Sequence, residues 1–237
     1  MAVPSEVGGY VLAGGKSSRM GRDKALLELA GKPLAFHAVT KLRRVCEDVH
    51  ILSNRPELAA FAPLVEDLHE GCGPMGGLEA ALAHSRHEWN LFLPVDVPFL
   101  PSGFLDFWVR GVIADQSARV AMFTVGGVPQ PLLCLLHKDV APFVREAMQV
   151  GKYKVFPVLE EAAVKLAERR GLILAKVFLN TQWDESREFF VKPGEGKREF
   201  GWPPTEAQQA ARYLWFANVN TPDDFAEAEQ HPGALDT

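Results

Sequence analysis

A chain of 237 residues, 47% hydrophobic and 23% charged, has enough apolar side chains for the core of a globular α/β domain. A formal charge of −5 and a pI near 5.8 weigh against a nucleic-acid binder, whose phosphate contacts need a basic face. Three scattered cysteines (Cys46, Cys72, Cys134) form no C-x-x-C pair and suggest neither a disulfide framework nor a zinc site.

Met1 to Gly9 lacks a signal-peptide pattern and no later segment reaches membrane-spanning length, so a cytoplasmic protein with no membrane partner is expected. Tyr10 to Ala13 reads as a short buried strand ending in glycines. A helix begins at Pro33, with Leu34, Ala35, Ala38, Val39, Leu42 and Val45 at helical spacing. Val49 to Leu52 is the next strand, Leu78 to His84 a short helix, and Trp89 to Pro94 a third strand. Ser102 is a candidate cap for a helix to about Ile113, and Arg119 to Thr124 and Leu132 to Leu136 follow as strands. Val140 to Val150 and Val155 to Arg169 read as helices, and Leu172 to Phe178 as a strand. Residues 181 to 213, rich in charge, Gly, Pro and aromatics, read as a loop or insertion. Leu214 to Val219 resumes strand character, and Thr221, Pro222 and Asp224 supply cap, first-turn proline and third-position acid for a last helix. Strands alternating with helices predict an α/β fold with a mostly parallel sheet and helices on both faces. One domain over residues 1 to 237 is expected, interrupted at about 181 to 213.

The segment Leu12-Ala-Gly-Gly-Lys-Ser-Ser-Arg-Met-Gly21, followed by Arg22-Asp23-Lys24, carries the clearest chemistry. A strand ending in glycines lets backbone N–H groups meet anionic oxygens, and Arg19 and Lys24 add positive charge, so a triphosphate cradle is expected. A Walker A loop would need glycine at position 10, where Tyr10 stands, and the dinucleotide fingerprint G-x-G-x-x-G is absent from this loop. A plain glycine-rich surface turn would share this composition. Asp96 lies just beyond an apolar strand, where open α/β sheets place ligands. It is a candidate Mg²⁺ ligand, and equally a candidate cap for the turn before Pro98. Asn54 and Glu66-Asp67 stand near strand ends where they could reach a nucleoside or serve ordinary turns. Gly71-Cys-Gly-Pro-Met-Gly-Gly77 offers backbone to a ligand or is a plain loop before a helix. Cys72 has no base and orienter nearby in sequence for a nucleophile, His37 fits a helix face, and the seven histidines show no metal-ligand spacing.

The order of these motifs is more telling than any one of them. Leu12 to Lys24, Leu29-Ala-Gly-Lys-Pro-Leu34, Ser53-Asn-Arg55, Glu66-Asp67, Gly73 to Gly77, Pro94-Val-Asp-Val-Pro-Phe-Leu100 and Asn218-Val-Asn-Thr-Pro-Asp-Asp224 together resemble the MobA-type molybdenum cofactor guanylyltransferases. The resemblance spans about residues 8 to 180 and 214 to 230. It implies a Rossmann-like nucleotidyltransferase fold, transfer of GMP from GTP to molybdenum-molybdopterin, Mg²⁺ dependence and release of pyrophosphate. It implies that Leu12, Ala13 and Gly14 meet the nucleotide through backbone and that Lys24 meets phosphate. Asn54 and Asp67 would contact the nucleoside, Asp96 the metal, and Asn218 and Asn220 would lie nearer the pterin. Arg19, Lys24 and Asp96 are the residues expected to carry the chemistry. Transient contact with molybdenum cofactor proteins is a further expectation. The chain departs from compact members at residues 181 to 213, which carry Trp183, Phe189, Phe190 and Trp202. It also has lysines in Gly151-Lys-Tyr-Lys154, where arginine is more usual. A cytidylyltransferase, another phosphorylated acceptor, and a nucleotide-binding regulatory protein without turnover are the competing readings.

Overall fold

The computed structural model describes residues 6–14, 23–69, 71–184 and 203–236. The opening strand β1 (Val7–Leu12) alternates its side chains between two layers, as the two-residue strand period requires. Val7 and Val11 enter one apolar cluster, while Tyr10 and Leu12 face the other. After a 3₁₀ turn at Lys24–Leu26 come the two-residue strands β2 (Glu28–Leu29) and β3 (Lys32–Pro33), which pair as a small antiparallel ribbon. The sequence follows with α1 (Leu34–Leu42), β4 (Asp48–Leu52), β5 (Leu64–Val65), α2 (Pro74–His84) and β6 (Trp89–Pro94). Next stand α3 (Ser102–Ala114), the hairpin strands β7 (Val120–Val125) and β8 (Val128–His137), α4 (Ala141–Gln149) and α5 (Val155–Arg170). The short α6 (Leu174–Val177), β9 (Phe178–Trp183), α7 (Glu206–Ala210) and α8 (Pro222–Ala228) complete the described chain.

Seven strands form one sheet in the order β5-β4-β1-β6-β8-β7-β9. Four of its six pairings are parallel and the two made by β8 are antiparallel, which agrees with the expected mostly parallel sheet. Helices cover both faces. On one side α1, α3 and the C-terminal segment pack on Val11, Ile51, Leu91, Leu93, Ala121 and Phe123. On the other, α2, α4 and α5 pack on Tyr10, Phe92, Met122, Cys134 and Leu136.

Several elements differ from the expectation. Leu172 to Phe178 is not a strand. Gly171, at φ +61°, ends α5 in the left-handed region, one helical turn follows, and strand pairing starts only at Phe178, opposite Val120. The expected loop from Thr181 is strand as far as Trp183, whose indole is buried against Phe104, Trp215 and Phe216. Near its other end, Thr205 and Gln208 form a capping box for α7. The middle of the expected insertion, including Phe189, Phe190 and Trp202, lies outside the described residues. Leu214 to Val219 is also not a strand: a 3₁₀ turn at Arg212–Leu214 sends Trp215 and Phe216 into the core instead of into a ladder. Helix α2 begins at Pro74, earlier than its apolar pattern suggested. Helix α3 starts after Pro101, and its first residue Ser102 donates its backbone N–H to the Asp236 carboxylate rather than serving as the cap. That carboxylate also pairs with Arg44. Beneath it Lys41 on α1 is wholly buried with no hydrogen-bond partner for Nζ among the described residues, and desolvation pushes its pKa down to about 8 against a smaller opposing pull from Asp236.

Candidate functional site

The ends of three parallel strands meet at one edge of the sheet. Leu12 ends β1 and pairs with Leu52 at the end of β4 and with Pro94 at the end of β6. Such an edge gathers ligands because the connecting loops diverge there and expose backbone groups. A cleft of about 260 Å³ is lined by Leu12, Gly14, Leu52, Ser53, Asn54, Arg55, Asp67, Gly73, Pro74 and Gly77. Asn54 fixes one wall by accepting the Asp67 N–H at 3.0 Å. Burial raises the pKa of the Asp67 carboxyl above its ordinary value. Gly73, at φ +60° and ψ −151°, takes a conformation costly to side-chain-bearing residues, and so turns the loop into the first turn of α2. A Cβ on Gly77 would stand 3.4 Å from Leu52 and 3.6 Å from Asp67 Oδ1, so glycine lets α2 lie close to the cleft floor.

Across the β1–β6 edge lies a second cavity of about 250 Å³, lined by Pro94, Asp96, Val97, Gln130, Pro131, Leu132, Leu133, Phe216 and Asn218. Its wall is apolar and aromatic, with polar groups at Asp96, Gln130 and Asn218. Lys24 reaches Asp96 here: Nζ donates to Oδ2 at 2.8 Å, and both side chains are less than a quarter exposed. The same ammonium hydrogen-bonds the Asn220 side chain. Asn220 is in turn held by the next helix. Its N–H and that of Thr221 each donate to Asp224 Oδ2 at 2.7 Å, which keeps the Asp224 carboxyl below its ordinary range. The Val219 N–H donates to the Asp96 carbonyl at 2.9 Å. The C-terminal segment is thereby fastened to the loop after β6.

The structure thus brings Leu12, Gly14, Asn54 and Asp67 around the first cleft and Asp96 and Asn218 around the second, with Lys24 on Asp96. Ala13 lies between Leu12 and Gly14 and is buried. Arg19 and the rest of the glycine loop from Gly15 to Arg22 lie outside the described residues. Sequence reading assigned no role to Ser53, Arg55, Asp23, Gln130 or Phe216, and gave Asp224 only the helix-capping part it plays in α8. Ser53, Arg55 and Asp23 stood inside quoted motifs, and Phe216 was hidden in a segment read as a strand. Cys72 is buried and His37 Nε2 donates to the Leu29 carbonyl at 2.9 Å within the α1 packing, so neither enters the site.

Among the described residues no group of three or more His, Cys, Asp or Glu side chains could hold a metal ion. A cation enclosed wholly by protein therefore does not fit the described site. Mg²⁺ needs less, since phosphate oxygens and water fill most of its octahedral shell. Asp96 offers one carboxylate with Oδ1 unpartnered among the described residues, a donor set that fits a phosphate-bound Mg²⁺. No helix among the described residues is long and apolar enough to cross a membrane.

A mostly parallel sheet with a nucleoside-sized cleft and a lysine–aspartate pair at its carboxyl edge is the architecture of a nucleotidyltransferase. The sequence profile of the MobA-like NTP transferase domain matches residues 9–165. A molybdenum cofactor guanylyltransferase from Serratia proteamaculans is 34% identical over 185 residues, covering 76% of this chain and 92% of that protein. One from Pseudomonas putida is 35% identical over 160 residues, covering 65% and 83%. Among solved structures, molybdopterin-guanine dinucleotide biosynthesis protein A from Archaeoglobus fulgidus superposes with a TM-score of 0.66 at 23% identity, covering 94% of this chain and 97% of that one. A nucleotidyl transferase from Methanothermobacter gives 0.61 at 14%, covering 95% and 97%. At those identities the structural likeness speaks for the fold, and the sequence matches carry the family. The chain belongs to the MobA-like NTP transferase family, and it is a nucleotidyltransferase.

Proposed function

We propose that this enzyme transfers GMP from GTP to molybdenum-molybdopterin, forming the guanine dinucleotide cofactor and releasing pyrophosphate. The observation that carries the reading is the pair of cavities on either side of the β1–β6 edge, with Asp96 in the lining of the second and Lys24 salt-bridged to it. Relatives at about one-third identity are molybdenum cofactor guanylyltransferases, which supports guanine as the base and the cofactor as acceptor.

In this reading the nucleoside occupies the first cleft, against Leu12, Asn54 and Asp67, with Ala13 and Gly14 meeting it through backbone. Lys24 contacts the phosphates. The second cavity holds the pterin, with Phe216 and Leu132 among its apolar lining and Asn218 and Gln130 as polar groups. Mg²⁺ held by Asp96 would neutralise phosphate charge and align the α-phosphate with the acceptor. The acceptor's terminal phosphate, already an anion, attacks the α-phosphorus in line and pyrophosphate leaves. No general base is required, so the protein's work is alignment and charge compensation. Lys24 is suited to follow that change because its salt bridge to Asp96 can be exchanged for phosphate oxygens.

The test is product analysis by mass spectrometry with molybdenum-molybdopterin and GTP, CTP or ATP in separate reactions, with and without Mg²⁺. Guanine dinucleotide formed only with GTP and Mg²⁺ is expected. Preference for CTP, or turnover undiminished in chelator, would overturn base or metal assignment respectively.

A further inference from the structure

Arg55 has no role in the account above, yet it is fastened at both ends. Its guanidinium stands 2.6 Å from Oδ2 of Asp23, whose side chain is 7% exposed while that of Arg55 is half exposed. The other Asp23 oxygen accepts the Ala25 N–H at 3.0 Å and so caps the 3₁₀ turn that opens with Lys24. Among the described residues Oδ2 has no aligned hydrogen-bond donor, so charge rather than N–H geometry holds it to Arg55. A nearly buried carboxylate in that position depends on Arg55, its one ion-pair partner among the described residues, because removing one partner strands the other charge. At its own backbone Arg55 donates to Ser53 Oγ at 3.2 Å, and the neighbouring Asn54 holds Asp67. One short turn after β4 is therefore bonded to the nucleoside wall on one side and to the base of Lys24 on the other.

We propose that Arg55 is a positioning residue for Lys24: through Asp23 it holds the turn that aims the lysine at Asp96, without touching the reacting phosphates. The inference rests on the reading of Lys24 as a phosphate ligand. It predicts an asymmetry that a direct phosphate contact would not produce. Arg55→Gln leaves the Asp23 carboxylate buried and unpaired, and that charge pulls the turn out of place. Asp23→Asn keeps an oxygen for the Ala25 cap, removes the buried charge, and leaves Arg55 in solvent. The double variant then recovers most of what Arg55→Gln loses.

The deciding measurement uses the free protein. Lys24 acylation by an N-hydroxysuccinimide acetate ester is followed by mass spectrometry, with exposed Lys154 as internal reference. Lys24 in Arg55→Gln should react about tenfold faster than in wild type, as expected when a nearly buried ion pair is broken from one side. Asp23→Asn and the double variant should stay within about twofold of wild type, because a solvated arginine costs little. Equal Lys24 labelling in wild type and Arg55→Gln would overturn the proposal. If Arg55→Gln does not fold, Arg55→Lys replaces it, with labelling expected between wild type and the Gln value; unchanged labelling there again overturns the proposal. GTP kinetics run alongside, and kcat should fall with KM little changed in Arg55→Gln and return in the double variant. A kcat loss that persists in the double variant makes Arg55 a direct phosphate ligand and refutes the positioning role. Wild-type protein that releases no pyrophosphate from GTP and molybdenum-molybdopterin would sink the substrate reading, while the labelling still decides what Arg55 does.

Discussion

Replacing Lys41 by methionine should stabilise the protein, although lysine is the more polar and usually the more soluble choice. The ammonium is wholly buried with no hydrogen-bond partner among the described residues, and its pKa is pushed down to about 8 from 10.5. That difference corresponds to about 3 kcal/mol borne by the folded state when the group is charged. Below pH 8 both states hold the proton and the cost is fully present. Between about pH 8 and 10.5 the unfolded chain holds more protons than the folded one, so this group makes stability rise with pH across that window. Methionine keeps an unbranched chain of similar volume and removes the charge. Asp236 keeps Arg44 and the Ser102 N–H and is not stranded by the change. Urea unfolding at pH 7 should show a gain of about 2–3 kcal/mol, and a melting point higher by roughly 5–10 °C for a chain of this size. The advantage of the variant should shrink at pH 9.5. A variant less stable than wild type at pH 7, or an advantage unchanged between pH 7 and 9.5, would refute the reasoning.

Asp96→Asn should retain GTP binding in a calorimetric titration while turnover falls by about two orders of magnitude or more, the scale of losing one electrostatic stabiliser. Near-normal pyrophosphate release across a magnesium titration would make Asp96 a structural residue only. Lys24→Ala should weaken GTP binding by roughly 1.5–3 kcal/mol with an unchanged melting curve, since it removes a charged contact and no core packing. An unaltered Kd would take Lys24 out of the site. Gly73→Ala should raise the KM for GTP and lower stability by about 1–3 kcal/mol, because its φ of +60° at ψ −151° is strained for alanine; wild-type KM would show that the loop tolerates another path. Trp183→Ala should cost about 3–5 kcal/mol in chemical unfolding, as for a large aromatic lost from a core, and a loss under 1 kcal/mol would mean the cluster repacks around the gap.

What was legible in the sequence and what was not divides along a physical line. Strands β1, β4 and β6 are short, mostly apolar runs that end within two residues of a turn-forming glycine, asparagine or proline, and local pattern suffices to find them. Asp96, Asn54 and Asp67 were findable because each follows the end of such a strand. Leu172 to Leu174 and Leu214 to Phe216 are equally apolar, but their fate is decided by distant partners. Gly171 turns the first run of three residues away from the ladder and into a helical turn, and Phe104 and Trp183 draw Trp215 and Phe216 into an aromatic cluster. Short apolar runs carry no period long enough to separate strand from coil. The cap of α3 was misread for the same reason, since its acceptor, Asp236, lies 134 residues away. Nor could spacing have revealed the Lys24–Asn220 contact, which joins residues 196 positions apart.

That last separation bears on when the enzyme comes into being. The proposed reactive centre joins Lys24 to Asp96, 72 positions away, and to Asn220, 196 positions away, and the Val219 backbone closes onto Asp96. Domains emerge from the ribosome amino end first, at about 5–20 residues per second. A nascent chain can therefore lay down β1, β4 and β6 and offer the proposed nucleoside cleft while the segment beside Lys24 has yet to be made. Nucleotide binding can precede release from the ribosome, but the complete constellation around Lys24 and Asp96 forms only after residue 220 has left the exit tunnel. A premature stop shortly before residue 219 would keep β1, β4 and β6 while removing the Val219 and Asn220 contacts to Asp96 and Lys24.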